Sequence, residues 1–164
     1  MDLSAPVLLT DHHELEKFKC GEPSLDEWLK KRARANQASG ASRVFVTCEG
    51  KRVAGYYSLS SSCVTNNVAP GRFRRNMPDP IPAVLLGRLA VDKPWHHKGV
   101  GRSLFRDAAM RVSQAAEAIG VRGIIVHAIS DDARKFYLAL GFSECPGESM
   151  TLVITLQDIR AALG

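Results

Sequence analysis

The apolar positions of the chain change period several times, and each change marks an element. Pro6 to Leu9 is a short apolar run and reads as a first strand. A polar segment follows. Leu25, Trp28, Leu29 and Ala33 then recur at helical spacing. Pro23 suits a first helical turn, with Glu22 or Ser24 as its cap, so the spacing predicts one helix to about Ser39. Ser42 to Cys48 alternates and is β-branched, Glu49-Gly50-Lys51 makes a hairpin turn, and Val53 to Val64 continues as the antiparallel partner. Asn66 to Pro80 has no period and holds Pro70, Gly71, Pro78 and Pro80, so it reads as a loop. A loop of this length is uncommon in a compact domain and often functional.

A central strand begins near Ile81 and ends in a glycine-rich turn, Lys98-Gly99-Val100-Gly101-Arg102-Ser103. Leu104, Phe105, Ala108, Val112, Ala115, Ala116 and Ile119 then mark one buried helix face, ended by Gly120. Arg122 to Ile129 reads as a buried strand. Ser130 or Asp131 caps a short helix through Leu140, closed by Gly141. Phe142 to Cys145 and Met150 to Leu156 pair as a hairpin, and Gln157 to Leu163 can form a last helical turn. The mixture is α/β. The 164 residues show no repeat or linker, so a single domain spanning 1–164 is expected.

Composition narrows the class. Hydrophobic residues at 45% and charged residues at 24% suit a soluble globular protein, and no apolar run can cross a bilayer. The N-terminus lacks a basic region followed by an apolar segment, so a cytoplasmic protein is expected. Cys20, Cys48, Cys63 and Cys145 form no C-x-x-C pair and no zinc spacing, so they read as reduced thiols and no metal site is expected. The net charge of +5 suggests an anionic partner.

Chemistry concentrates between Val84 and Phe105. A strand, a Gly-rich turn and a helix N-terminus make an anion cradle, and the cations Lys98 and Arg102 favour a phosphate there. Leu104 stands where a dinucleotide fingerprint needs its third glycine, and no Gly-Lys-Ser/Thr of a P-loop is present. His96-His97-Lys98-Gly99-Val100-Gly101 resembles the acetyl-CoA signature R/Q-x-x-G-x-G/A of the GNAT-type N-acetyltransferases, with His at its first position. The preceding RLAVD and the later ARKFYLALGF strengthen the resemblance, as does the element order β-α-α-β-β-β-α-β-α-β-β.

The resemblance implies an α/β (α+β) GNAT acyl-CoA N-acyltransferase fold, its mixed central sheet splayed between the fourth and fifth strands. It implies acetyl-CoA as cofactor, the thioester carbonyl lying against the backbone of Leu89, Ala90 and Val91. The pyrophosphate would sit on the N–H groups of Lys98, Gly99, Val100, Gly101, Arg102 and Ser103, with His96 and His97 opening the signature. The pantetheine arm would pass Ser130 and Asp132, where a GNAT often has Asn. Tyr137 would donate a proton to the departing thiolate, with Phe136 and Leu140 as core neighbours.

A general base is harder to find. The candidates are Asp92, Glu49, His127 and the pair His96-His97. An α-amine has a pKa of about 7.7–8.0 and a lysine about 10.4, so a missing base favours an α-amine acceptor activated by a neighbouring ester.

A closer resemblance bears on the acceptor. FKCGEPSLDEWL, RARANQASGASRVFV, the VLLGRLAVDKPWHHKGVG core and SDDARKFYLALGF resemble the GNAT toxins of bacterial toxin–antitoxin modules. That implies transfer of acetyl to the α-amino group of aminoacyl-tRNA, which blocks translation. It also implies a homodimer and a cognate ribbon–helix–helix antitoxin through which the complex binds operator DNA. Lys30, Lys31, Arg34, Arg72, Arg74, Arg75 and Arg88 are the candidate tRNA-binding cations, although a solvated helix face explains the first three equally well. Two rivals remain: a housekeeping GNAT acting on a small amine, a peptide N-terminus or an antibiotic, and a GNAT-like binding module without turnover.

Overall fold

A computed structural model describes residues 2–163. The elements are β1 (Val7–Leu8), α1 (Pro23–Lys31), α2 (Ala33–Ala38), β2 (Arg43–Glu49), β3 (Arg52–Val64), α3 (Gly71–Arg74), β4 (Ile81–Val91), α4 (Val100–Ala115), β5 (Gly123–His127), α5 (Asp131–Ala139), β6 (Ser143–Cys145), β7 (Glu148–Thr155) and α6 (Leu156–Leu163). A 3-10 turn, Lys93–Trp95, lies between β4 and α4. The seven strands hydrogen-bond in the order β1-β2-β3-β4-β5-β7-β6. The β4–β5 ladder is parallel, with Val84 against Ile124 and Leu85 against Ile125. No helix among the described residues is long and apolar enough to cross a membrane.

The chain divides into two compact units. One comprises the described residues up to Ser60 together with Gly87–Ala108. The other comprises Ser61–Leu86 and the described residues from Ala109 on. In the first, β2 and β3 pair antiparallel from Arg43↔Leu59 to Glu49↔Arg52. Leu29 and Ala33 of the first two helices pack with Val44, Val46, Val53, Tyr56 and Ala90 of the strands. In the second, β5 pairs with β7, and Val64, Phe73, Ile81, Ile125 and Val153 form the core.

The single helix expected through Ser39 is two. Arg32 leaves the helical region at φ −122°, although its N–H still reaches the Trp28 carbonyl at 2.8 Å. The break frees α2 to satisfy strand edges. Gln37 donates to the Leu9 carbonyl and accepts from the Val44 N–H, both at 2.8 Å. Such ties outweigh the helical period, which is a weak prior against tertiary bonding. The expected loop from Asn66 holds the short helix α3. Its last carbonyls, those of Arg72 and Phe73, accept from Arg122 at 2.7 and 2.8 Å.

Two further expectations are corrected. Helix α4 ends at Ala115, and its last turns tighten, Ala118 N–H bonding Ala115 at 3.0 Å. Ile119 therefore leaves the buried face and is 61% exposed. In α5, Phe136 and Leu140 are only half-buried, and Tyr137 is the residue in the core.

Gly123 begins β5 directly beneath β7. A Cβ there would lie 1.9 Å from the Ile154 carbonyl oxygen. Gly123→Ala should therefore push the β5–β7 ladder apart and destabilise the fold by about 1–3 kcal/mol, as overpacking does. A denaturant midpoint shifted down with an unchanged slope is the expected measurement; an unshifted midpoint would show that the ladder yields freely.

Candidate active site

One candidate cluster lies within the first unit and begins where β4 ends. Asp92 is 1% exposed. One carboxylate oxygen accepts from the Lys19 N–H at 2.8 Å and the other from Arg52 Nη2 at 2.9 Å. The Asp92 N–H donates to the Ala54 carbonyl at 2.8 Å. With both oxygens held by the fold, Asp92 fixes where the turn begins. After the 3-10 turn, His96 reaches back and its Nε2 lies 2.6 Å from the Val91 carbonyl oxygen. A carbonyl can only accept, so Nε2 carries the proton. The side chain at the signature's first position thus locks the turn to β4.

The cradle follows. His97 and Gly99 both have positive φ, 61° and 79°. Glycine adopts this conformation freely, whereas His97 must be held in it. Left-handed residues in such a turn aim backbone N–H groups into an anion-binding concavity. Val100 is buried and anchors the start of α4, and the Ser103 N–H bonds back to the Gly99 carbonyl at 3.1 Å. The first N–H groups of α4 are left for a ligand. Nothing lies within 4 Å of where a Gly99 Cβ would be. Lys98, Arg102 and Ser103 are exposed around this opening.

Sequence reasoning missed one feature here. A cavity of about 260 Å³ adjoins the cradle, between Leu3–Pro6, Thr47 and the cradle residues Lys98, Val100 and Ser103. Ser4 pins that N-terminal segment, its N–H donating to the Cys48 carbonyl at 2.9 Å and its hydroxyl accepting from the Cys48 N–H at 3.1 Å. No local sequence signal marks Ser4, because its partners are supplied by β2.

On β4, Ala90 is buried in the first unit's core while Leu89 and Val91 are half-buried, as strand alternation requires. Gly55 lets the start of α4 approach the strands closely. A Cβ there would meet Leu104 at 3.0 Å, Thr47 at 3.2 Å and the Ala90 carbonyl oxygen at 3.3 Å.

A separate candidate cluster lies within the second unit. Ser130 caps α5, its hydroxyl oxygen accepting from the Ala133 N–H at 3.1 Å. Asp132 is exposed in the first turn of that helix. Tyr137 is 7% exposed and packs edge-on against Phe136 and Phe142, each with ring centroids 5.3 Å away. Its hydroxyl has no hydrogen-bond partner among the described residues. Burial pushes the phenol above its ordinary pKa, so it stays protonated as a donor.

The remaining base candidates gain no support. His127 is exposed on β5, its Nδ1 3.2 Å from the Thr151 hydroxyl, and His97 is exposed in the turn. Glu49 sits half-buried at the β2–β3 turn. No group of three or more His, Cys, Asp or Glu side chains among the described residues could hold a metal. All four cysteines are free, and burial pushes the Cys48 thiol up to about 11.

The candidate tRNA-binding cations sort by what they already touch. Arg34 donates to the Thr10 and His13 carbonyls at 3.2 and 2.6 Å. Arg72 grips both oxygens of Asp158 at 2.9 and 2.6 Å. These two are tied into the fold rather than free. Lys31 makes only an exposed pair with Glu27 at 3.8 Å, and Arg74 a long bond to the Asn66 carbonyl at 3.4 Å. Lys30 and Arg75 are exposed. Arg88 lies over the Trp28 ring, 4.1 Å from its centroid. The Asn36-to-Arg43 segment is structural: beside the Gln37 bonds, Asn36 accepts from the Ser42 hydroxyl at 2.5 Å, and Arg43 donates to the Gln37 carbonyl at 3.2 Å.

Residues 40–144 match the acetyltransferase (GNAT) domain family. The chain belongs to the GNAT acetyltransferase family. It is 49% identical to a tRNA-acetylating toxin of Mycobacterium tuberculosis (strain ATCC 25618 / H37Rv) over 161 residues, 98% of this chain and 97% of that protein. Its fold matches AtaT complexed with acetyl-methionyl-tRNAfMet at a TM-score of 0.91 and 30% identity, covering 99% of this chain and 100% of that one. It also matches a tyrosine-to-phenylalanine mutant of the AtaT toxin bound to the C-terminus of the antitoxin AtaR and acetyl-CoA. That match has a TM-score of 0.85 and 30% identity, covering 98% and 97%.

The residues present fit the cofactor of a GNAT enzyme. In the first unit, the left-handed turn and the helix start offer N–H donors to a pyrophosphate, and Gly99 leaves room. Gly101 is the second residue of α4 and half-buried. Gly101→Glu should fold with an unchanged melting temperature and lose acetyl-CoA affinity by about tenfold or more, since it sets bulk and like charge against the phosphates. Calorimetry returning wild-type affinity would remove the cradle from phosphate binding.

Proposed function

We propose that this chain is the toxin of a bacterial toxin–antitoxin pair, acetylating the α-amino group of aminoacyl-tRNA and so blocking peptide-bond formation. The observation that carries the reading is the end-to-end similarity to a tRNA-acetylating toxin. Residues 1–164 act as one catalytic domain in the cytoplasm, as a homodimer. A ribbon–helix–helix antitoxin restrains it, and that complex binds operator DNA.

Acetyl-CoA, when bound, supplies an acyl thioester that the amine attacks and that releases a thiolate. The N–H groups from Lys98 to Ser103 hold the pyrophosphate. Backbone N–H groups of Leu89 to Val91 stabilise charge on the carbonyl oxygen as the amine adds. Ser130 and Asp132 flank the pantetheine arm. Tyr137 would give its phenolic proton to the sulfur, and the phenolate left would retake a proton from water. The proton lost by the amine goes to water, because an ester-activated α-amine near pH 7 needs no stronger help. Lys30, Lys31, Arg74 and Arg75 draw in the tRNA backbone.

Tyr137→Phe keeps the ring and its packing but removes the donor. The acetylation rate should fall about 10²–10⁴-fold, with acetyl-CoA affinity changed far less. Expressed without antitoxin, the wild type should arrest growth and accumulate acetylated aminoacyl-tRNA, and the variant should do neither. Undiminished activity in the variant would remove Tyr137 from the mechanism. A wild type that acetylates a small amine and leaves every charged tRNA untouched would restore the housekeeping reading.

A further inference from the structure

Arg88 is a half-buried cation whose donors the fold does not use. It sits on β4 with its guanidinium carbon 4.1 Å from the centroid of the Trp28 ring. Trp28 in turn stacks on Tyr56, with ring centroids 6.0 Å apart and planes 11° from parallel. Tyr56 is fixed from below: its hydroxyl donates to the Leu25 carbonyl at 2.8 Å, and Phe18 packs edge-on against it at 5.5 Å. The platform is therefore rigid. Yet among the described residues no carboxylate or carbonyl takes any N–H of Arg88, whereas Arg34, Arg52, Arg72, Arg122 and Arg134 all spend theirs on such groups. A guanidinium carries five donors, and leaving them unmet in a half-buried place is costly. Partial burial lowers its pKa, the sign of that unmet cost.

Position adds a second argument. Strand alternation puts Arg88 on the same face as Ala90, which packs with Tyr56 and Leu29 in the first unit's core. With about 3.3 Å per residue, Arg88 lies about 7 Å along β4 from Ala90. Ala90 is the middle of the three residues whose backbone the proposed chemistry sets against the thioester. An amine reacting there would be joined, through its own ester, to a ribose and base lying within reach of Arg88.

We propose that the Trp28–Arg88 stack seats the 3′-terminal nucleoside of the charged tRNA, an inference that rests on the aminoacyl-tRNA reading above. The guanidinium plane lies between Trp28 and the terminal base, and its edge donors meet the ribose and the last phosphate. Bases stack on aromatic rings and on Arg planes, and such stacking tolerates any base identity. Arg is required because Lys offers a point charge with no plane. The platform accounts for a Trp that is left half-exposed in α1 instead of being sunk in the core.

The test uses the full chain and a trinucleotide, cytidylyl-cytidylyl-adenosine carrying an amide-linked amino acid at its 3′ end. Arg88→Ala should weaken binding of this fragment about 5- to 150-fold, the range that stacking on one side chain supplies. Arg88→Lys should recover little of it, while calorimetric affinity for acetyl-CoA and the melting temperature stay near wild type in both variants. A fragment lacking the terminal base should narrow the gap between wild type and Arg88→Ala to what the ribose and phosphate contacts supply. Full recovery by Arg88→Lys would overturn the stack in favour of a phosphate contact, as would a defect seen with whole tRNA and not with the fragment. Charged tRNA acetylated by wild type and by Arg88→Ala with equal KM would overturn the stack alone. A wild type that binds neither fragment nor charged tRNA would overturn the stack and the tRNA reading together.

Discussion

One buried carboxylate holds the end of β4 and the turn that follows it in register. Asp92 joins three stretches distant in sequence: the segment entering α1 through the Lys19 N–H, the start of β3 through Arg52, and the end of β4 through its own backbone. Arg52 is part-exposed, so the pair owes much of its worth to geometry rather than bare Coulomb attraction. Losing Asp92 would leave a buried N–H and a guanidinium without acceptors, which is costlier than never having had them. The 3-10 turn that leads to the glycine-rich cradle begins at the next residue, so the cradle's position depends on this junction. His96 adds a second fastening by returning to Val91. The turn can hold His97 in a left-handed conformation because both its ends are fixed.

The elements were largely legible in the sequence because period, caps and turn glycines agreed with the fold. Helix α5 shows this best: Ser130 caps it and Gly141, at φ 108°, follows it. Misreadings occurred where long-range bonds overruled local pattern. The helical stripe runs through Arg32, but Gln37 must meet Leu9 and Val44, so the helix breaks. The arginines show the same limit. Sequence gives their charge, and only the fold shows that Arg34 and Arg72 are already engaged while Arg88 is not. Asp92 looked like a possible base for the same reason.

Resemblance and physics divide the labour along the chain. The Asn36-to-Arg43 segment is one of those that carry the resemblance to the toxin group, yet its side chains bond to backbone and to one another. Its part is to set the path from α2 into β2. Family likeness in that stretch therefore reports a shared scaffold. The acceptor preference must be sought on surfaces that the scaffold leaves open, with Trp28 and Arg88 on one of them.

Tyr137 carries a consequence for how the reaction depends on acidity. Its ring packs against Phe136 and Phe142, and burial raises the phenol's pKa, which keeps it neutral where an α-amine titrates. With Tyr137 as proton donor, its own ionisation never limits turnover under conditions a cell meets. The ionisation that throttles the enzyme then belongs to the acceptor: acid silences the chemistry by protonating the amine. On that proposal the phenolate left by donation retakes a proton from water before the next cycle, and the substrate carries the pH sensor.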